Sequence, residues 1–210
     1  MTEIESCNRI KISSGSEQFE QLELLFEIYK LRENRKKLRE KLRNLEKMIK
    51  RNTNKNITNR IEAFRIVAAE NNEKFEEIMS TLKTSYNIFK LLNDEKDNRC
   101  FLRNLEEARK KRKVDLQQYE ITKGYYLQKL LEINNSIDHL REVAISYYQV
   151  LEDNLIHLED QRIKLTTEKL RKKIVKEEFH QKSQELESLK HQLEEKLAFL
   201  EVEIIEKELD

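Results

Sequence analysis

Runs of basic side chains are the clearest chemical feature of this 210-residue chain. Residues 30–51 hold eleven Lys or Arg against three Glu, whereas residues 185–210 hold nine acids against three Lys. Basic runs contact phosphates, nuclear import receptors or acidic polymers such as microtubules, with a solvated charged face as the alternative. No aromatic residues are interleaved, which argues against base stacking. The candidates for polyanion contact are Arg109, Lys110, Lys111, Arg112 and Lys113.

The residues that usually carry catalysis or hold metals lack the necessary spacing. No two histidines are three or four residues apart, so none can share a zinc ion on one helix face. The two cysteines form no CxxC, and two glycines cannot build a phosphate-binding loop. These residues are His139, His157, His180, His191, Cys7, Cys100, Gly15 and Gly124. We therefore expect a non-enzymatic protein without a catalytic, cofactor or metal site.

The termini and the cysteine content suggest an intracellular protein. The first twelve residues contain no apolar signal-peptide core, and no apolar run exceeds the four residues found at 66–69, which is far too short to span a bilayer. Two isolated cysteines do not form a disulfide framework. We expect the cytoplasm or cytoskeleton, with the nucleus as an alternative, and no membrane insertion.

Composition predicts an all-α protein. The chain has no Pro, only two Gly, and about half of its residues are Ala, Glu, Lys, Arg or Leu. This composition is typical of coiled coils and argues against β-sandwiches and α/β enzymes, which need glycine and proline for frequent turns. We expect an elongated coiled coil with an N-terminal helical hairpin and a long C-terminal stalk helix.

The hairpin is predicted over residues 17–92, after a flexible N-terminus at 1–16. Its first helix carries a leucine-zipper pattern interrupted by Arg35. This pattern favours either parallel dimerisation or packing on the chain's own second helix. Too few bases precede Leu24 for a zipper transcription factor. The zipper positions offered as a partner-binding seam are Leu24, Ile28, Leu31, Leu38, Leu42, Leu45 and Ile49.

The second helix is predicted from an apolar stripe running from Ile57 to Leu92. Four Asn residues between 51 and 60 predict a loop before it, and the polar residues 93–99 predict a linker after it. Neither break contains Pro or Gly, so one continuous helix with polar lapses is the alternative.

A stalk helix is predicted over residues 100–210. Arg109 and Arg112 would fall on its apolar seam, so the helix there should be solvated, bent or turned toward an acidic surface. The seam also weakens around Glu168 and Lys172. Bulky Tyr residues at successive d positions favour different helices over identical ones. Asn154 is the candidate that fixes the register. The partner-binding positions are Leu116, Tyr119, Tyr126, Leu130, Ile133, Ile137, Leu140, Tyr147, Leu151, Asn154, Leu158, Leu165, Leu186, Leu189, Leu193 and Leu200.

A helical head with a coiled stalk is similar to the general plan of elongated spindle, kinetochore and cytoskeletal subunits. We therefore expect a scaffold subunit of a hetero-oligomeric coiled-coil assembly that binds other helical proteins rather than a small molecule. One alternative is a microtubule- or nucleic-acid-backbone-binding module acting through residues 30–51 and 109–113. A membrane tether or cargo adaptor is another, although no lipidation motif supports it.

Overall fold

The computed structural model describes residues 17–49 and 55–207, and within these ranges the chain is helical without any strand. This confirms the predicted all-α class. The predicted N-terminus at 1–16 lies outside the described residues. The helices are α1 (Glu17–Ile49), α2 (Lys55–Thr81), α3 (Ile88–Lys110), α4 (Leu116–Leu170) and α5 (Lys176–Leu200), with a 3-10 turn at Thr84–Tyr86 and a π turn at Glu201–Ile205.

The chain divides into two units, residues 20–87 and residues 88 onward together with Phe19. In the first unit, which we call the α1–α2 hairpin, the helices run antiparallel. The Asn71 side chain of α2 donates a hydrogen bond to the carbonyl of Leu31 on α1 at 3.3 Å. Nearer the connection, Arg65 and Glu46 form an exposed ion pair at 3.9 Å. α1 therefore packs against α2 of the same chain.

Hydroxyl side chains mark the end of α2. Ser80 Oγ donates to the carbonyl of Glu77 at 2.7 Å, and Thr81 Oγ1 donates to that of Ile78 at 2.8 Å. Such bonds compete with helix continuation. Lys83 is then extended, and its backbone N–H donates to the buried Gln21 side chain at 2.8 Å. The chain consequently leaves the helix before residue 84.

One predicted break was wrong, and the other extended too far into the following helix. The linker placed at 93–99 lies inside α3, and residues 55–60 of the predicted loop belong to α2, while residues 50–54 are not described. α3 follows an apolar stripe of its own, Ile88, Leu91 and Leu105, which begins after the turn and is out of phase with that of α2. Its interior tolerates Glu95 because Arg99 binds that buried carboxylate.

The second unit, which we call the α3–α5 unit, consists of two antiparallel hairpins that share α4. α3 packs against the first half of α4, where Phe101 stacks on Tyr126 with ring centroids 4.1 Å apart. α5 packs against the second half, where Lys190 Nζ binds Glu159 Oε1 at 2.6 Å. A single stalk helix over 100–210 is therefore wrong, because the chain reverses at 111–115 and again at 171–175.

The start of α3 and the end of α5 meet at the middle of α4. Arg141 of α4 holds the segment after α5 in place, since its guanidinium donates to the carbonyls of Ile204 at 3.4 Å and Lys207 at 2.5 Å. Basic side chains that bond to carbonyls near a helix C-terminus act as caps, and Arg141 has this role here. The fully buried side chains around this junction include Ile88, Ile137, Leu140, Ala144, Tyr147, Leu200 and Ile204.

Candidate interaction surfaces

The zipper positions Leu31 and Leu38 of α1 lie beside α2, since they line one depression together with Asn71. Ile28 and Leu45 are buried, and the remaining positions are half-buried. Arg35, the charged zipper position, places its guanidinium 5.8 Å from the ring centroid of Phe75 on α2. At this distance the aromatic face attracts the cation. The half-buried positions are Leu24, Leu31, Leu38, Leu42 and Ile49.

Most of the predicted stalk seam is covered by the chain itself. Leu116 is exposed, but the other positions are half-buried or buried. The half-buried ones are Tyr119, Tyr126, Leu130, Ile133, Asn154, Leu186 and Leu189. The buried ones are Ile137, Leu140, Tyr147, Leu151, Leu158, Leu165, Leu193 and Leu200. The 4-3 spacing thus identified core positions of this chain. Its own helices α3 and α5 cover the positions that were predicted to bind other subunits.

Asn154 is half-buried within the α3–α5 unit. Its Nδ2 atom is inaccessible to solvent and has no hydrogen-bond partner among the described residues. An unsatisfied buried donor costs stability, so this amide weakens the contact in which it lies.

One cross-helix ion pair fixes α5 against α4. The bond between Lys190 and Glu159 lowers the pKa of the Glu159 carboxyl and raises that of the Lys190 ammonium. Arg162 and Glu187 add a longer pair at 3.5 Å on the same two helices. The two pairs show which residues of α4 and α5 lie opposite each other.

The basic run at 109–113 forms a tight turn between α3 and α4. Arg112 has a φ of 54°, and the N–H of Lys113 donates to the carbonyl of Ala108 at 2.9 Å. This is the Schellman pattern that ends many helices, although Gly usually occupies the left-handed position. Asp115 then caps α4 by accepting from the N–H of Gln118 at 2.8 Å. We call residues 109–116 the first basic turn.

The same turn recurs 60 residues later, where the sequence analysis had proposed no site. Lys172 has a φ of 56°, and the N–H of Lys173 donates to the carbonyl of Glu168 at 2.9 Å. Residues 169–176, the second basic turn, contain five bases and no acid, and the first basic turn contains five bases and one acid. Aligning the chain with itself at an offset of 60 would have revealed the pair, since Arg112 and Val114 match Lys172 and Ile174.

An apolar stripe lies on α4 opposite its buried face. Ile145, Ile156 and Ile163 are 45%, 64% and 63% exposed. They are 11 and 7 residues apart, about three and about two helical turns, so they line up along one face. Thr166 and Thr167 continue the surface and line a shallow depression beside Ile163. We call Ile145, Ile156 and Ile163 the outer stripe.

Two surface depressions among the described residues are open to solvent, and neither forms an enclosed site. One of about 320 Å³ is lined by residues of α4 alone, and one of about 390 Å³ lies between α1 and α2, near Lys37, Lys41 and Lys74. Among the described residues no cluster of His, Cys, Asp and Glu could hold a metal ion. Cys100 is free and exposed, and no described helix is long and apolar enough to cross a membrane.

Comparison with known proteins gives no assignment: no protein family, curated protein or solved structure matches this chain.

Proposed function

We propose that this chain is a non-enzymatic scaffold subunit of a hetero-oligomeric helical assembly, in which a helix of another protein packs on the outer stripe of α4. The observation that supports this proposal is the alignment of three exposed Ile side chains on one face of a 55-residue helix. Apolar side chains at helical spacing are the usual contact surface for a second helix. The partner therefore contacts the outer stripe rather than the seam predicted from the sequence.

Charge favours a different protein over a second copy of this chain. The exposed acids Glu142, Glu152 and Asp160 flank the outer stripe, and residues 142–168 contain six acids and two bases. Two identical stripes would bring these carboxylates together, and like charges beside a helical interface are destabilising. The expected partner is a helix whose apolar stripe is flanked by Lys or Arg.

The assembly to which such a subunit belongs stays a prediction. The sequence favours the cytoskeleton, the spindle or the kinetochore, with the cytoplasm as the compartment and the nucleus as the alternative. In each of these settings the chain would act mechanically, because α4 spans about 80 Å at 1.5 Å per residue and would keep bound partners apart.

The test is to purify the tagged, full-length chain from its native cells and determine the stoichiometry of bound helical proteins by size-exclusion chromatography with light scattering. The key variant is Ile156→Glu/Ile163→Glu, which places carboxylates in the apolar contact. The matched control is Ile66→Glu on α2, where the side chain is 60% exposed. We expect a stoichiometric heteromer that the double variant abolishes and the control retains.

A chain that purifies only as a homo-oligomer, or a heteromer that survives Ile156→Glu/Ile163→Glu, would contradict this proposal. Circular dichroism of each variant verifies that the helices persist, as expected for substitutions of exposed residues.

A further inference from the structure

We propose that the first and second basic turns are docking points for anionic lipid surfaces. The two turns share their backbone geometry and lie at the two ends of α4, which separates them by about 80 Å. This inference goes beyond the scaffold role, because it concerns residues that the outer stripe does not use.

Each turn combines exposed bases with exposed apolar side chains. In the second basic turn, Leu170 and Val175 are 78% and 64% exposed beside Arg171, Lys172 and Lys173. In the first basic turn, Leu116 is exposed among bases at 110–113. Protruding apolar side chains can enter the boundary between headgroups and acyl chains, while surrounding bases attract anionic headgroups.

Three residues of the two basic turns are unfavourable for stability. Lys172 and Arg112 occupy left-handed positions where Gly costs less, and Val175 is the N-cap of α5 without any side-chain hydrogen bond to the helix. Ser, Thr, Asp or Asn would cap the helix, whereas Val is among the poorest residues there. Departures from local preference at the same turn point to a function for the side chains present.

An anionic bilayer fits these observations better than nucleic acid or an acidic protein polymer. Contacts to the phosphates of nucleic acid need basic side chains but would leave Leu170 and Val175 exposed. No exposed aromatic side chain lies in either turn to stack on a nucleobase. A bilayer accommodates both the charge and the apolar surface. Because each end of α4 carries one turn, a single chain can link two vesicles.

The test is flotation of the full-length chain with phosphatidylcholine vesicles, with and without roughly a third of phosphatidylserine. We expect binding only to the anionic vesicles. Lys172→Gly should weaken it about 5-fold, the usual effect of one base near the surface. Val175→Ser should weaken it by a similar factor through loss of apolar contact. Both variants should be more stable than the parent, so their weaker binding cannot result from unfolding.

Matched controls test whether vesicle binding depends on the two turns or on any exposed basic or apolar side chain. Lys164→Gln removes a base from α4 outside the turn, and Ile66→Ser removes an exposed apolar side chain from α2; both should float like the parent. Light scattering should show vesicle clustering by the parent chain. Clustering should be lost when either turn is neutralised by changing its five bases to Gln, whereas flotation through the other turn persists.

Three results would overturn this inference: failure to float with anionic vesicles, binding unaffected by Val175→Ser and Lys172→Gly, or loss of bases weakening binding to duplex DNA or microtubules but not to vesicles. The last result would identify the turns as contacts for a polyanionic polymer. Ile156→Glu/Ile163→Glu should leave flotation unchanged, so the outcome does not depend on that of the scaffold proposal.

Discussion

Two basic residues end helices in a conformation that glycine adopts at lower cost. Arg112 and Lys172 have φ values of 54° and 56°, and among the described non-Gly residues no other φ is positive. No Gly lies near 112 or 172, so both turns lack the residue by which a Schellman turn is usually recognised in a sequence. The cost of about 1 kcal/mol for a side chain there is small enough to be tolerated.

Replacing either residue by glycine should therefore stabilise the protein. We expect Arg112→Gly and Lys172→Gly each to raise the free energy of unfolding by about 1 kcal/mol, measured by chemical denaturation. Lys113→Gly is the control, because Lys113 has no positive φ and gains no relief from the substitution. Destabilisation by Arg112→Gly and Lys172→Gly would contradict the turn geometry.

A buried carboxylate in α3 explains why the linker predicted at 93–99 was wrong. Glu95 is 3% exposed, and Arg99 binds its Oε1 atom with two nitrogens at 2.7 and 2.6 Å. The polar stretch at 93–99 predicted a linker because charged residues rarely occupy a seam. The i, i+4 spacing of Glu95 and Arg99 allows neutralisation within one helix and was the available signal.

Removing the two partners should have unequal effects. Arg99→Leu leaves a buried carboxylate unpaired and should cost about 1–3 kcal/mol of unfolding free energy. Glu95→Leu removes the buried charge and should cost much less, because an apolar residue of similar size suits the site. Denaturation of both variants measures the difference, and equal losses would contradict the burial of the Glu95 carboxylate.

At the scale of elements, the spacing of apolar residues predicted α4 well and its partners poorly. The seam from Leu116 to Leu165 corresponds to α4, Leu116–Leu170, because a 4-3 pattern sustained over many turns specifies a helix with one buried face. The pattern contains nothing about which helix covers that face. A short turn at each end of α4 allows α3 and α5 to cover that face. Whether the chain's own helices or those of another subunit cover it therefore depends on the turns rather than on the seam.

The ion pair between α4 and α5 should make their contact depend on pH. Bonding to Lys190 lowers the pKa of Glu159 from its ordinary value near 4.5, so its stabilisation is lost as pH falls through that lowered pKa. The pKa of Lys190 is raised above 10.5, so its stabilisation is lost as pH rises through that higher pKa. Between these limits both groups are charged and the pair contributes.

Lys190→Met should accordingly lower the thermal melting temperature at pH 7, and the difference from the parent should shrink as the pH falls through the lowered pKa of Glu159. Lys182→Met is the control, because the ion pair of Lys182 with Glu178 at 2.8 Å lies within α5. A deficit for Lys190→Met that stays constant across this pH range would contradict the assigned pair.

At the scale of the whole molecule, the composition predicted the helical class. The turns that connect the helices decide which surfaces remain available to partners. An extended stalk would offer its long seam to other subunits. The folded-back arrangement covers the seam with α3 and α5 and leaves the outer stripe and the two basic turns on the surface. Both proposals for function therefore depend on the chain reversals at 111–115 and 171–175.

The most direct test of this central claim is a distance measurement across the second reversal. Spin labels replace Arg162 and Glu187, whose side chains are 3.5 Å apart, in a chain with both native cysteines changed to serine. Pulsed electron resonance should give a distance below about 20 Å, as expected for labels on neighbouring helices 8–10 Å apart. The short distance should persist in excess unlabelled chain. A distance near 38 Å, expected for 25 residues of straight helix, or a short distance lost on that dilution, would contradict the account.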